Sequence, residues 1–374
     1  MEGDFIKIYR SMLPLSFLYG MGVEIRNKMY EWGILSSRSF DVPVISIGNL
    51  TVGGSGKTPH IEYLIRLLQD KFKVAVLSRG YKRKSRGYLL ADGETPTERI
   101  GDEPYQIKQK FPHVYMAVDK NRCNAISRLC NDKETADTEV VLLDDAYQYR
   151  KIIPGINILL VDYHRMICYD RLLPAGRLRE REKEKVRANI IVITKCPHDI
   201  KPMDYRVITK IMNPYPFQHL YFSTLKYGSL VPLSADLPKR NIESLGNEEH
   251  ILLVTGIASP EQIILDLKKY TRDIHPMSFG DHHYFSDNEI DQIHAQFKQL
   301  PGERKLILIT EKDAARLSSR QNWDPELKRR IYILPVEIEF LLEKEELFNQ
   351  QIISYVRKNS RNSILAKGKD AHKS

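Results

Sequence analysis

Cysteine is scarce in this 374-residue chain: four residues, at positions 123, 130, 168 and 196, with no C-x-x-C pair among them. That spacing excludes a zinc ribbon and a disulfide framework, and it fits a reducing, cytoplasmic compartment. Long apolar runs are missing too. Met12–Val23 is uncharged for twelve residues, short of the roughly 20 that span a bilayer, so no transmembrane helix is expected there. No small-residue cleavage site follows a basic start, so the segment does not read as a signal peptide. A repeat of fixed period is absent, as is any RNA- or DNA-binding module, which weighs against nucleic acid as a partner.

What is present begins with 42% hydrophobic residues, enough to fill substantial cores and to suggest two domains. The net charge of +9 favours anionic partners, whether phospholipid, phosphorylated metabolite or polynucleotide. Near the N-terminus Leu18, Gly22, Ile25, Met29 and Trp32 recur at helical spacing beside Lys7, Arg10, Arg26 and Lys28. That composition suits a basic helix lying in a membrane interface, and equally an ordinary helix packed on the core.

Short continuous runs of Val, Ile and Leu predict strands covered on both faces at 42–48, 73–80, 139–145, 156–163 and 189–195. Helical patterns lie between them, such as Ile61, Leu64, Ile65 and Leu68. The alternation predicts an α/β fold in three layers, helices on both sides of a mostly parallel sheet. A second set at 250–257, 305–310 and 331–338, with a helix over 288–300, predicts a smaller α/β domain. The expected division is an N-terminal helical segment (1–40), a catalytic domain (41–212), an extended connector rich in Pro and Gly (213–233), the smaller domain (234–340), and a C-terminal helix with a basic tail (341–374).

Between the first strand and the first long helix stands Thr51-Val52-Gly53-Gly54-Ser55-Gly56-Lys57-Thr58. Small residues let successive backbone N–H groups close on phosphate oxygens, and the helix behind presents its positive end. Lys57 would reach the β- and γ-phosphates of ATP, and the Thr58 hydroxyl would ligate Mg²⁺. Thr51 departs from the general phosphate-loop pattern, which has Gly there. Val140–Leu143 ends in Asp144-Asp145. Ligands of open parallel sheets bind beyond the carboxyl ends of the strands, where these carboxylates can hold Mg²⁺ directly or through water; alone, the pair reads as strand-to-turn punctuation. Arg79, Lys82, Arg83, Lys84 and Arg86 follow a strand end as a basic cluster facing phosphate or lipid head groups, or as a solvated loop.

The run Gly48 to Pro59, with its unusual Thr51, closely resembles the signature loop of the tetraacyldisaccharide 4'-kinase (lipid A 4'-kinase) family. Ser78–Tyr81, Gly101–Pro104, Asp144-Asp145, Asp281-His282-His283 and Thr310–Ala314 are similar to further family blocks in the expected order, over residues 5–340. Two positions depart: Tyr149 where the family has His, and Arg177 where it tends to have Pro, although Arg179 and Glu180 keep their places. The resemblance implies a P-loop NTPase-like kinase that moves the ATP γ-phosphoryl group to the 4'-hydroxyl of an acylated glucosamine disaccharide 1-phosphate. It also implies a monotopic protein, expected as a monomer, on the phospholipid surface of the cytoplasmic face of the inner membrane. By resemblance Asp102 serves as base with His282, His283 being the neighbouring contender; placed on different domains, the pair would be completed by closure. The alternatives are a soluble P-loop kinase for a small metabolite and a nucleotide-dependent binding or regulatory protein.

Overall fold

The uninterrupted apolar runs become strands, and the 3.6-residue patterns between them become the helices that cover those strands. The computed structural model describes residues 6–234, 236–257, 260–280, 283, 285–317 and 324–360. In chain order the first elements are α1 (Leu13–Glu31), β1 (Val44–Asn49), α2 (Lys57–Leu68), β2 (Val74–Ser78), β3 (Leu89–Ala91), α3 (Thr97–Ile100), α4 (Asp102–Lys110), β4 (Tyr115–Val118) and α5 (Arg122–Asn131). There follow β5 (Val140–Asp144), β6 (Ile156–Asp162), β7 (Ile190–Thr194), α6 (Pro202–Met212), β8 (His219–Tyr227), β9 (Val231–Pro232), β10 (His250–Thr255) and α7 (Glu261–Leu267). Last come β11 (Asp273–Ser278), α8 (Asp287–Gln299), β12 (Lys305–Thr310), α9 (Glu311–Leu317), α10 (Pro325–Arg329), β13 (Ile331–Leu334), β14 (Val336–Phe340) and α11 (Glu345–Asn359).

The chain divides into two units. One comprises the chain as far as Thr95, Ile107–Leu225 and the part described from Ile338 onward; the other comprises Pro96–Gln106 and Lys226–Glu337. The first holds a nine-stranded sheet in the order β14-β8-β7-β6-β1-β5-β2-β4-β3. From β8 to β4 its pairs are parallel, and β3 closes one edge antiparallel. Every residue of β1, β2, β5, β6 and β7 is buried, because alternate side chains are covered on opposite faces: Val44, Leu77, Leu143, Leu159 and Ile191 on one, Ile47, Val76, Leu142, Ile158 and Ile190 on the other. The second unit carries a five-stranded sheet, β11-β10-β12-β13-β9, parallel except for β9.

Three features differ from the expectation. The run His219–Tyr227, expected inside a connector, is a nine-residue strand paired in parallel with β7. Its aromatic and β-branched residues, Tyr221, Phe222, Thr224 and Tyr227, suit a sheet, and the prolines lie outside it at 214, 216 and 232. The single strand expected at 331–338 is two, β13 and β14, parted at Pro335 and belonging to different sheets. Pro96–Gln106, which contains Asp102, groups with the second unit instead of the first.

Candidate active site

Asn49 ends β1 and the chain turns through the glycine loop into α2. Gly48 must be glycine: a Cβ there would lie 2.8 Å from the backbone nitrogen of Tyr147. Gly53 and Gly56 take left-handed φ values of 113° and 81°, which lets the loop curl back at the helix start. A Cβ on Gly54 would meet nothing within 4 Å, so that face of the loop is open.

The loop is laced from beneath by side chains that sequence reasoning did not single out. Asn49 Nδ2 donates to Ser55 Oγ at 2.7 Å, and Thr194 Oγ1 donates to the Ser55 carbonyl at 3.1 Å. Lys195 donates to the Gly54 carbonyl and, at 2.8 Å, to Asp162. His60, one turn into α2, reaches back to the Gly56 carbonyl through Nδ1 (2.7 Å) and meets Ser223 Oγ through Nε2 (3.0 Å). A carbonyl only accepts, so Nδ1 carries the proton and Nε2 accepts from Ser223. Burial pushes this imidazole down to about 4, outweighing the backbone bond that favours its charged form. The signal available in the sequence was His60 at i+4 from Gly56, which says nothing by itself of a partner on β8.

Lys57 and Thr58 open α2, and Thr58 is buried. β5 runs beside β1 with Ile47 opposite Asp144, so the Asp144-Asp145 pair stands at the same sheet end as the loop. Asp144 accepts from Ser78 Oγ at 3.2 Å. Asp145, at a left-handed φ of 46°, lies 3.7 Å from Lys57 Nζ and 3.2 Å from Arg179 Nη1. Burial, the largest influence on this carboxyl, pushes it up, but Lys57 and Arg179 together outweigh it and hold the group below the usual carboxylate range. Arg122 donates to the Asp145 carbonyl at 3.1 Å, and its own backbone N–H donates to the Tyr149 hydroxyl at 3.1 Å, the guanidinium lying over the Tyr149 ring. Tyr149, the position that departs from the family's His, thus seats Arg122 behind the acidic pair. A hydroxyl and two carboxylates are the hard oxygen donors that Mg²⁺ takes, and an open, glycine-lined cradle with a lysine at its mouth suits a polyphosphate.

Arg179 reaches this cluster because its segment pairs with the loop entrance: Arg179 N donates to the Leu50 carbonyl at 2.7 Å, and Val52 N to the Arg177 carbonyl at 2.8 Å. Glu180, fully buried, does not face the cluster. It receives Arg26 at 2.7 Å, Asn27 at 3.4 Å and, at closer range, Arg187, which ties α1 to the body of the unit. Arg79 follows β2 and is exposed.

In the second unit Asp102 starts α4 and is buried against Arg316, whose Nε donates to it at 2.9 Å. Arg316 also holds Asp313 at 3.1 Å and the Gly256 carbonyl at 3.1 Å. A Cβ on Gly256 would lie 3.4 Å from the Cβ of His283, so Asp102, Arg316, Asp313 and His283 share one neighbourhood. His283 stacks on Phe279 and pairs with Glu289 at 2.9 Å, which leaves that imidazole held by α8's capping residue. His282 lies outside the described residues. Asp102 belongs to the same unit as the described His283.

α1 reverses the usual amphipathic arrangement. It packs by small and polar residues, burying Ser16, Gly20 and Asn27, and a Cβ on Gly20 would come within 2.7 Å of Leu172. Its apolar residues face outward: Phe17 is 61% exposed, Ile25 60% and the following Trp32 69%. Among the described residues no helix is long and apolar enough to cross a membrane.

The model of the family described as tetraacyldisaccharide-1-P 4'-kinase matches residues 8–357. A tetraacyldisaccharide 4'-kinase from Phocaeicola vulgatus is 55% identical over 363 residues, 97% of this chain and 99% of that one. Another from Bacteroides thetaiotaomicron is 55% identical over the whole of both chains. Among solved structures, LpxK from Aquifex aeolicus, crystallised in complex with ATP, is 30% identical, covers 92% of this chain and 98% of its own, and superposes with a TM-score of 0.71. An ion-paired acidic couple beside a glycine loop is common to many nucleotide enzymes; the match over nearly the full length is not, and the chain belongs to the tetraacyldisaccharide-1-P 4'-kinase family.

Proposed function

We propose that this chain transfers the γ-phosphoryl group of ATP to the 4'-hydroxyl of a tetraacylated glucosamine disaccharide 1-phosphate, at the cytoplasmic face of the inner membrane. The observation that carries the reading is the meeting of Lys57, Asp145 and Arg179 at the mouth of the glycine loop, in a unit whose N-terminal helix turns its apolar side to the exterior. In the reaction the hydroxyl oxygen forms a bond to the γ-phosphorus, the bond to the β,γ-bridging oxygen breaks, and ADP leaves. Backbone N–H groups from Gly53 to Thr58 and the Lys57 ammonium hold the phosphates, with the loop kept in shape by Asn49, Thr194, Lys195 and His60. Thr58, Asp144 and Asp145 would hold Mg²⁺, which neutralises phosphate charge when bound. Asp102 takes the hydroxyl proton, oriented by Arg316, with His282 as its partner and His283 as the contender.

The exposed side of α1 seats the protein on phospholipid while the acyl chains of the substrate remain in the bilayer, and basic residues such as Arg79 meet the substrate's phosphate or lipid head groups. One chain suffices as the working form, since the ion pairs of the phosphate site are completed within it. A soluble small-metabolite kinase would have no use for that outward face. Incubation with labelled ATP, Mg²⁺ and the lipid disaccharide 1-phosphate tests the assignment: label is expected on the distal glucosamine, with Lys57→Ala about 10²–10³-fold slower. Label on a water-soluble acceptor only, or equal rates for the variant, would overturn it.

A further inference from the structure

We infer that the second unit carries a binding site for a divalent transition metal, of which Zn²⁺ is the natural occupant, built by His250, Asp273 and His275. The reading is independent of the kinase assignment and of the phosphate site. β11 is an edge strand, and in its parallel pairing with β10 Asp273 stands opposite His250, so their side chains share a face. His275, two residues along, projects to that same face. The donor atoms of all three lie within 4.8 Å of one another. The carboxylate is divided between the imidazoles: one oxygen meets His250 Nδ1 and the other lies 2.9 Å from His275 Nε2.

The second approach is short but poorly aligned for a hydrogen bond. The His275 side chain is 44% exposed, yet its Nε2 is covered and has no well-aligned partner among the described residues. A buried ring nitrogen left unsatisfied beside an anion lacks a third body, and a cation accepting both lone pairs supplies it. The opposite side of His250 is closed by backbone, since a Cβ on Gly302 would lie 3.3 Å from its Nε2, which keeps Nδ1 turned toward Asp273. The neighbouring cation, Lys305, is engaged elsewhere: its Nζ donates to the carbonyls of Leu300 (3.0 Å) and Lys298 (3.3 Å).

Two imidazoles and one carboxylate favour Zn²⁺ over Mg²⁺ or Ca²⁺, which take oxygen. Binding uses the lone pairs of His250 Nδ1 and His275 Nε2, so each ring keeps its proton on the other nitrogen and any excess proton goes to solvent. Three protein ligands leave one position for water. The metal would staple the edge strand to its neighbour and make the second unit harder to unfold.

The test uses the untagged full chain, stripped with chelator and titrated with Zn²⁺ by calorimetry in excess Mg²⁺, so that the carboxylates of the phosphate site are occupied. One equivalent is expected, with affinity falling about tenfold or more in His275→Ala and in Asp273→Asn, and with thermal unfolding of the wild type alone rising on Zn²⁺ addition. Kinase activity of both variants in Mg²⁺ should match the wild type, which also certifies that they fold. Should they misfold, Co²⁺ absorption on the wild-type chain decides: a four-coordinate spectrum is expected. Absence of Zn²⁺ binding by the wild type, a six-coordinate Co²⁺ spectrum, or equal affinity in the variants would overturn the site.

Discussion

His60 provides a measurable link between the phosphate loop and pH. The ring is neutral in the folded chain, its affinity for a proton lowered from an ordinary 6.5 to about 4 by burial. In the unfolded chain the same imidazole takes a proton near its ordinary value. Between those two values the unfolded state therefore binds more protons, so stability falls as pH falls, with no further loss below the folded value. The interval of about 2.5 units corresponds to roughly 3 kcal/mol in full, of which about 2 kcal/mol appears between about pH 7.5 and about pH 5. Urea unfolding of the wild type and of His60→Asn at a series of pH values isolates this contribution, because the other titrating groups are common to both. The wild type should lose about 2 kcal/mol more than the variant over that interval. Parallel pH profiles would refute the argument, since they would mean that the ring is not dehydrated or is charged in the fold.

Asp145→Asn leaves Lys57 and Arg179 facing a neutral amide, so the Mg²⁺ concentration for half-maximal rate should rise and turnover fall by about 10²-fold; an unchanged Mg²⁺ titration would remove the carboxylate from the metal set. Glu180→Gln strips a fully buried charge from Arg26 and Arg187, and the expected loss is about 3 kcal/mol, the low end for breaking a buried ion pair because Arg26 is partly solvated; denaturant unfolding within 0.5 kcal/mol of wild type would be inconsistent with that burial. Gly48→Ala places a methyl 2.8 Å from the Tyr147 backbone nitrogen, which should cost about 1–3 kcal/mol by thermal unfolding and weaken ATP binding along with it.

The parts legible in the sequence were those in which one local pattern carries the whole instruction. The glycine loop, the strands at 44–49 and 140–144 and the helix behind Lys57 needed only neighbouring residues to be read. Pairings between distant segments were not legible. Asp102 meets Arg316 at a separation of 214 residues and His60 meets Ser223 at 163, and neither partner advertises itself in composition. β8 was hidden for a different reason: its flanking prolines look like a connector, while the parallel register with β7 that makes it a strand is a property of the sheet. Glu180, expected with Arg179 as a site residue, turns the other way and is buried among Arg26, Asn27 and Arg187. One arm of that dipeptide holds Asp145 and the other holds α1.

That last arrangement decides how the outward face of α1 has to be tested. Deletion of residues 1–30 is the obvious way to ask whether the protein needs a membrane. The deletion would also remove Arg26 and Asn27 from the buried Glu180, uncover Leu172 where Gly20 packs, and take away the Tyr19 hydroxyl that donates to the Arg179 carbonyl at 2.9 Å. Arg179 N in turn holds the Leu50 carbonyl at the loop entrance. Loss of activity in the truncated chain would thus follow from a damaged phosphate site even in an enzyme indifferent to lipid. Substitutions confined to the exposed side avoid this. Phe17→Ser with Ile25→Ser changes two side chains that are 61% and 60% exposed, so stability and ATP affinity should stay within about 0.5 kcal/mol of wild type. Co-sedimentation with anionic vesicles should fall several-fold, and turnover of the substrate should fall when it is presented in bilayers but not in detergent micelles. Unchanged vesicle binding in the doubly substituted chain would show that the apolar side of α1 does not seat the protein on lipid.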